Sequence, residues 1–127
     1  MAKRKPVSNR IVMTAEEYVA EVRNNWSEAQ FLKEVLALAK RNGWRSFHQR
    51  PGLTAKGRWV SAVQGDGKGF PDTLFLRAGR LVVMELKVGS NDATMEQEDW
   101  IDAFAHVGAE VGIYWPEHWS DIERVLA

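Results

Sequence analysis

The sequence predicts an α/β fold in which a central mixed sheet is flanked by helices. Two segments with apolar residues at helical spacing, around Phe31 and Ile101, enclose two apolar runs that meet at a tight turn, Ala78-Gly79. Another apolar run, from Val111 to Trp115, follows the second helical segment. We expect this run to pair parallel to the later strand of the hairpin, with the helices packed on the sheet.

The chain opens with a basic arm and two helices. Residues 1–12 hold four basic residues and a proline, so we expect a flexible arm. Thr14 starts a short helix that runs to about Asn24. Ser27 starts a longer helix that ends at Gly43, because Ser27-Glu28-Ala29-Gln30 matches a capping box. Its apolar stripe comprises Phe31, Leu32, Val35, Leu38 and Ala39.

The middle of the chain predicts strands around a glycine-rich loop. Residues 44–48 and 59–63 form two short extended segments. The loop over residues 64–72 has three glycines in six residues, which lets backbone approach another group closely. Residues 73–77 and 81–87 then form the β-hairpin.

The last third of the chain predicts a helix, a buried strand and a closing helix. Thr94-Met95-Glu96-Gln97 is a second capping box, and the helix that it opens ends at Gly108. Val111 to Trp115 is the buried strand, and Ser120 to Leu126 the closing helix. In the helix that ends at Gly108, we expect four apolar residues to face inward: Trp100, Ile101, Phe104 and Val107.

Length and composition favour one folded domain, which we assign to residues 13–127. A chain of 127 residues is about the size of a single domain, and 45% apolar residues supply a core. The absence of cysteine excludes disulfides and thiolate chemistry. No apolar run approaches the roughly 20 residues that span a bilayer, and no signal-like stretch is present, so we expect a cytoplasmic protein with no membrane partner.

Charge is segregated along the chain although the net charge is zero. Residues 33–80 hold ten Lys or Arg against three acids, whereas residues 88–127 hold one Arg against nine acids. Two interpretations remain open: a basic face that binds an anion such as DNA, or ordinary solvated helix surfaces.

Charged residues at the end of the hairpin form the candidate site. Alternate side chains of a strand share a face, so Glu85 and Lys87 project together, about 6.6 Å apart along the strand. If Ala78 and Gly79 form a two-residue turn, Asp72 lies directly opposite Glu85.

Two adjacent carboxylates repel unless a cation lies between them. Oxygen ligands of this kind suit Mg²⁺ or Mn²⁺, with the backbone carbonyl of Leu86 as a third ligand and open positions for a substrate phosphate. Lys87 would then orient water or stabilise charge on phosphorus. The alternative is an ordinary ion pair between Glu85 and Lys87, with Asp72 as a turn residue after Pro71.

These residues resemble a known group of nucleases. Pro71-Asp72 followed by Glu85-Leu86-Lys87 resembles the PD-(D/E)xK signature. Residues 64–72, together with Glu96-Gln97 and Trp100, are similar to the VRR-NUC branch, in particular to its small standalone members from phages and bacteria. The resemblance runs from about Ser27 to the end of the chain. It implies a restriction-endonuclease-like core, metal-dependent phosphodiester hydrolysis, action on branched DNA (a flap or Holliday junction), and the cytoplasm of a bacterial host or phage-infected cell.

The resemblance also implies roles for single residues. Asp72 and Glu85 match the metal ligands, and Lys87 matches the catalytic lysine. Glu28 matches an acid on the first helix, in an outer position around the metal, and Gln97 a glutamine on the helix after the catalytic strand. Glu28 shares a helix stripe with core residues, so we expect it near the buried side. The alternatives are a first-turn acid for Glu28 and the reciprocal cap of Thr94 for Gln97, and both roles can coexist.

Two positions depart from the family pattern. Thr73 follows the aspartate where an aliphatic residue is usual, and Val88 follows the lysine where Ser or Thr is common. Neither is a proposed ligand.

Basic residues supply the expected DNA contacts. Lys68 in the glycine-rich loop would hold a phosphate beside the metal, although this is not a Walker loop because Gly69 follows it. The other candidates for contacts with the DNA backbone are Arg45, Arg50, Lys56 and Arg58. The three histidines, His48, His106 and His118, lack a metal-ligand spacing, and we assign them no catalytic role.

The sequence as a whole therefore predicts a Mg²⁺- or Mn²⁺-dependent DNA endonuclease. We expect a homodimer, because a two-fold axis presents two sites to a branched DNA. Two alternatives remain: a DNA-binding or assembly module without catalysis, and a nuclease that acts on free ends or on RNA.

Overall fold

A central four-stranded sheet with flanking helices organises the described part of the computed structural model, which is residues 12–49, 52–53, 59–60 and 65–127. The α/β fold is therefore as predicted. The helices are α1 (Ala15–Asn24), α2 (Glu28–Arg41), α3 (Met95–His106) and α4 (Trp119–Val125), with a 3₁₀ turn at Pro116–His118. The strands are β1 (Arg45–His48), β2 (Gly52–Leu53), β3 (Trp59–Val60), β4 (Thr73–Arg77), β5 (Arg80–Leu86) and β6 (Glu110–Tyr114). Nearly all of the predicted arm lies outside the described residues.

The strand order of the main sheet is β1-β4-β5-β6. β4 pairs antiparallel with both β1 and β5, whereas β6 pairs parallel to β5, as predicted. β2 and β3 pair with each other in a separate two-stranded sheet. Mixed pairing arises because α3 carries the chain from the end of β5 back to the start of β6.

The β4–β5 hairpin has the predicted two-residue turn. Ala78 and Gly79 both have positive φ, 47° and 78°, which matches the turn type whose twist suits a hairpin. Arg77 therefore pairs with Arg80, and the register continues down to Thr73 opposite Met84. The next position along the two strands brings Asp72 and Glu85 together.

Side-chain caps begin the three longer helices. Thr14, Ser27 and Thr94 each accept a hydrogen bond from the backbone N–H three residues later. The capping box of α3 is complete, but that of α2 is only half formed, because the Gln30 amide donates to Glu34 instead (2.9 Å). No helix in the described part of the chain is both long and apolar enough to cross a membrane.

The main core lies between the sheet and the helices α2 and α4. Side chains from both helices and from β4 and β5 form one buried cluster. Its largest fully buried members are Phe31, Val35, Phe75, Val82, Met84, Leu86, Ile122 and Leu126. The interior side of α2 is thus the predicted stripe, except that Leu32 is only partly buried.

Two expected burial patterns are wrong. Val107 is 78% exposed because it is the C-cap of α3, beyond the last turn that faces the sheet. β6 is half-buried rather than buried, since it is an edge strand with a neighbour on one side only.

Candidate active site

Asp72 and Glu85 meet at the open end of the β4–β5 hairpin. The Asp72 N–H donates to Glu85 Oε2 (3.2 Å), and Asp72 Oδ2 accepts from the N–H of Leu86 (2.9 Å). Each carboxylate is thus hydrogen-bonded to the backbone of the opposite strand. The two side chains are neighbours, as the hairpin register predicts.

Glu85 is buried and electrostatically unfavourable as a bare anion. Its exposed fraction is 1%. Burial and the nearby Asp72 carboxylate raise the pKa of Glu85 to about 7, although the charge on Lys87 opposes this shift. Without a cation, the Glu85 carboxyl therefore keeps its proton to a higher pH than an ordinary glutamate does.

Lys87 follows β5 directly and faces Glu85. Its Nζ lies 3.5 Å from Glu85 Oε1, and only 15% of its side chain is exposed. The shared face expected from strand alternation is therefore present. A mostly buried ammonium is thus held close to the Glu85 carboxylate.

Gln97 joins α3 to the carboxylates. Its Oε1 accepts from the Thr94 N–H (2.9 Å), which completes the capping box, while its Nε2 donates to Glu85 Oε1 (2.8 Å). One amide thus completes the predicted cap and contacts Glu85, while the role of Gln97 in catalysis stays a prediction. The start of α3 is thereby fixed relative to Glu85.

The Leu86 carbonyl lies on the side of Asp72. The N–H of Lys87 donates across to Tyr114 O on β6 (2.8 Å), and the chain has no cis peptide among its described residues. In a trans peptide the carbonyl points opposite to the following N–H. The Leu86 carbonyl therefore points away from β6, in the direction in which the Leu86 N–H contacts Asp72.

The donor set fits a hard cation that keeps part of its water shell. Two carboxylates and a carbonyl are oxygen ligands, and Mg²⁺ is commonly bound through one or two carboxylates with several waters retained. In residues 12–49 and 65–127, no three acidic or histidine side chains are close enough to hold a metal by themselves. The oxygen atoms present therefore fit a cation with free coordination positions, which water or a phosphate can occupy.

A cleft of about 730 Å³ opens beside Asp72, between the start of α2 and the glycine-rich loop. Its walls combine charged, polar and apolar side chains. They include Glu28, Leu32, His48, Lys68, Asp72 and Gln97. The cleft therefore gives solvent and ligands access to Asp72, whereas Glu85 lies behind it and is buried.

Glu28 lines this cleft but does not lie near the buried side, so that expectation is wrong. It is the first residue of α2 and is exposed, because the core contacts of the helix begin only at Phe31. Glu28 does not join Asp72 and Glu85 in a metal-sized group. Its expected role in an outer position around the metal stays a prediction.

The glycine-rich loop is held against α3. Trp100 Nε1 donates to the carbonyls of Asp66 (3.0 Å) and Lys68 (3.2 Å), and Phe70 packs edge-on against Trp100 (4.9 Å between ring centroids). Gly69 has φ +81°, and an added Cβ would lie 2.6 Å from the backbone of Glu96. Only glycine fits this contact, so the wall of the cleft has a defined shape.

Lys68 forms an ion pair at the rim of the cleft. Its Nζ lies 3.2 Å from Glu96 Oε1, and its side chain is 84% exposed. The pKa of Glu96 is lowered first by a hydrogen bond from its own backbone and then by Lys68. Exposed pairs of this kind contribute about 0–1 kcal/mol, so a phosphate can replace Glu96 as the partner of Lys68.

The other predicted DNA contacts lie away from the cleft or outside the described residues. Arg45 is exposed at the start of β1, opposite Leu76, and does not line the cleft. Arg50, Lys56 and Arg58 lie outside the described residues. Contact of these four side chains with DNA stays a prediction.

His48 is the site residue that the sequence analysis missed. It ends β1, lines the cleft, and its Nδ1 lies 2.8 Å from the Asp72 carbonyl oxygen. Spacing along the chain does not reveal His48, because it comes to the site through cross-strand pairing with Thr73. The available signal was the short extended segment 44–48, which ends at His48.

Comparisons of the chain with models of protein families, with curated proteins and with solved structures gave no match. The functional proposal therefore depends on the site geometry and on the motifs themselves.

Proposed function

We propose that this protein is a Mg²⁺- or Mn²⁺-dependent DNA endonuclease of the VRR-NUC type. The observation that carries the proposal is the meeting of Asp72, Glu85 and Lys87 at the end of one hairpin, beside an open cleft. An ion pair at a strand end explains Glu85 and Lys87, but it does not explain a second carboxylate placed against a buried first one.

Each side chain has a defined task in this proposal. Asp72, Glu85 and the Leu86 carbonyl would hold the cation, which when bound neutralises charge at a scissile phosphate and favours ionisation of water. Lys87 places a positive charge where negative charge builds on the phosphoryl oxygens in the transition state. Gln97 keeps Glu85 in place through a hydrogen bond to its Oε1.

The substrate class follows from charge and from the family resemblance. Residues 33–80 carry more basic than acidic side chains. One of these basic residues, Lys68, lines the cleft. Lysine and arginine contacts with phosphates bind DNA without regard to sequence. The preference for branched DNA is proposed on the resemblance to VRR-NUC nucleases.

A substrate panel tests this function. Linear duplex, flap, four-way-junction and RNA substrates of matched length are incubated with Mn²⁺, with Mg²⁺ and with a chelator. We expect internal cuts in branched DNA that require the cation. Cleavage confined to free ends or to RNA would replace the endonuclease assignment, and the absence of cation-dependent cleavage would favour a binding module.

Variants of two lysines test the role of the site. Lys87→Ala should lower the cleavage rate by about 10²–10³-fold, which is typical for loss of a donor that acts on the transition state. Lys40→Ala removes an exposed lysine from the last turn of α2 and is the matched control. Equal rates for the two variants would contradict the proposed role of Lys87.

A further inference from the structure

Asp72 is held at three points, and one of them comes from outside the hairpin. Its N–H donates to Glu85, and its carboxylate accepts from Leu86, both on β5. Its carbonyl accepts from His48 at the end of β1. The last of these contacts plays no part in the roles already proposed.

The contact with a carbonyl oxygen requires a hydrogen on Nδ1 of the His48 ring. A backbone carbonyl can only accept a hydrogen bond, so Nδ1 carries the hydrogen and donates to Asp72 (2.8 Å). The half-buried ring lines the cleft in this orientation.

The contact lies where the sheet stops supporting Asp72. The β1–β4 ladder ends with the pair His48 and Thr73, one residue after Asp72. Pro71 precedes Asp72 and has no N–H to donate. The His48 ring therefore extends support from β1 by one residue, to the peptide that joins Asp72 to Thr73.

We propose that His48 is a positioning residue that orients Asp72 for binding of a divalent cation, by holding the Asp72 carbonyl through Nδ1–H. The inference rests on the proposed function, because it takes Asp72 as a cation ligand. Residues that orient a ligand in this way change metal affinity by about 10–100-fold when they are replaced.

Two substitutions of similar shape distinguish the role of Nδ1 from the role of Nε2 in the His48 ring. Asparagine places an amide donor near the position of Nδ1, whereas glutamine places one near the position of Nε2. His48→Asn should therefore keep the hydrogen bond to Asp72, and His48→Gln and His48→Phe should lose it. All three remove the imidazole, so they differ mainly in this contact.

Electron paramagnetic resonance titration with Mn²⁺ provides a readout that needs no substrate. We expect the wild-type protein and His48→Asn to bind within about threefold of each other. His48→Gln and His48→Phe should bind about 10–100-fold more weakly. Asp72→Asn serves as the reference for a lost ligand, and circular dichroism checks that each variant is folded.

The other outcomes overturn the inference in distinguishable ways. If wild-type protein binds no Mn²⁺, the proposed metal site fails and the inference fails with it. If wild type binds but all His48 variants bind equally well, only the inference fails. If His48→Gln binds like wild type and His48→Asn does not, Nε2 is the important nitrogen and the contact with Asp72 is not.

A spectrum of the wild-type protein keeps the inference testable if a variant does not fold. Long-range ¹H–¹⁵N spectra report which ring nitrogen of a neutral histidine carries the hydrogen. We expect a protonated Nδ1 for His48 in metal-free protein. A protonated Nε2 with a bare Nδ1 would exclude the hydrogen bond to Asp72.

Discussion

At the scale of single residues, Glu85 is the one buried acid in the described part of the chain. Burying a carboxylate is costly unless it is paired and hydrogen-bonded. Glu85 receives hydrogen bonds from Asp72 and Gln97 and has Lys87 beside it, yet its pKa remains raised. The charged form of Glu85 is therefore unfavourable at this position, and carboxyl groups with a pKa shifted in this way cluster at functional sites.

The raised pKa of Glu85 makes the stability of the metal-free protein depend on pH. In the folded protein the pKa of Glu85 is about 7, whereas in the unfolded chain the pKa of a glutamate is about 4.3. The folded state thus binds more protons in this window, and the contribution of Glu85 to the free energy of unfolding falls as pH rises through it.

Urea denaturation of wild type and Glu85→Gln between pH 5 and pH 8 measures this effect. The decline in stability should be steeper in wild type, because the glutamine does not titrate. Parallel pH profiles would show that Glu85 has an ordinary pKa. At pH 7, addition of Mn²⁺ should release protons, since the cation favours the charged carboxylate.

The Gln97 amide should stabilise the fold more than a cap alone. Gln97→Ala loses a reciprocal cap and a hydrogen bond to a carboxylate, which together cost about 1–3 kcal/mol. The matched control is Gln30→Ala, at the same position of α2, whose amide contacts Glu34 on its own helix and contributes about 0.2–0.5 kcal/mol. Urea denaturation at pH 8 compares them, and equal losses would contradict the link between α3 and Glu85.

At the scale of elements, the glycine-rich loop and α3 form the fixed wall of the cleft. The contacts of Trp100, Phe70 and Gly69 bring the loop against the first turns of the helix. The same helix begins at the cap that Gln97 completes. One element thus orients both the loop that bears Lys68 and the buried carboxylate.

Two glycines of this loop provide a test of the close contact. Gly69→Ala adds a Cβ that meets the Glu96 backbone at a positive φ, which should cost about 2–5 kcal/mol. Gly65→Ala also has a positive φ, +72°, but its Cβ meets nothing within 4 Å, so it should cost about 1–2 kcal/mol. Equal losses in thermal or urea unfolding would mean that the loop is not pressed against α3.

Elements with local signals could be predicted, whereas those that depend on distant neighbours could not. The Ala78-Gly79 turn fixes the hairpin register, and Thr94 with Gln97 fixes the start of α3, because both are set by residues close in sequence. The exposure of Val107 could not be predicted, because helical spacing does not reveal where α3 leaves the sheet. The position of β6 at the sheet edge likewise depends on strand order.

At the scale of the whole molecule, the site assembles from several parts of the chain. The pair Asp72 and Glu85 was predictable, since one hairpin holds both. The contact of His48 was not, because it requires that β1 pair with β4 rather than with another strand. The exposure of Glu28 was not predictable either, because helical periodicity does not show that the core contacts of α2 begin only at Phe31.

The predicted homodimer is a second property at this scale. Light scattering coupled to gel filtration should give twice the mass of one chain over a range of concentrations. The physical reason is that one chain offers a small positive surface, and a two-fold axis would present two sites to a branched DNA. A monomer at every concentration would contradict this prediction.

Anomalous diffraction from crystals grown with Mn²⁺ would locate the cation itself. We expect one strong peak bonded to the carboxylates of Asp72 and Glu85, on the side of the Leu86 carbonyl, with Lys87 close by. A map from saturated crystals with no peak at these carboxylates, or with the ion held by other residues, would contradict the proposed metal site.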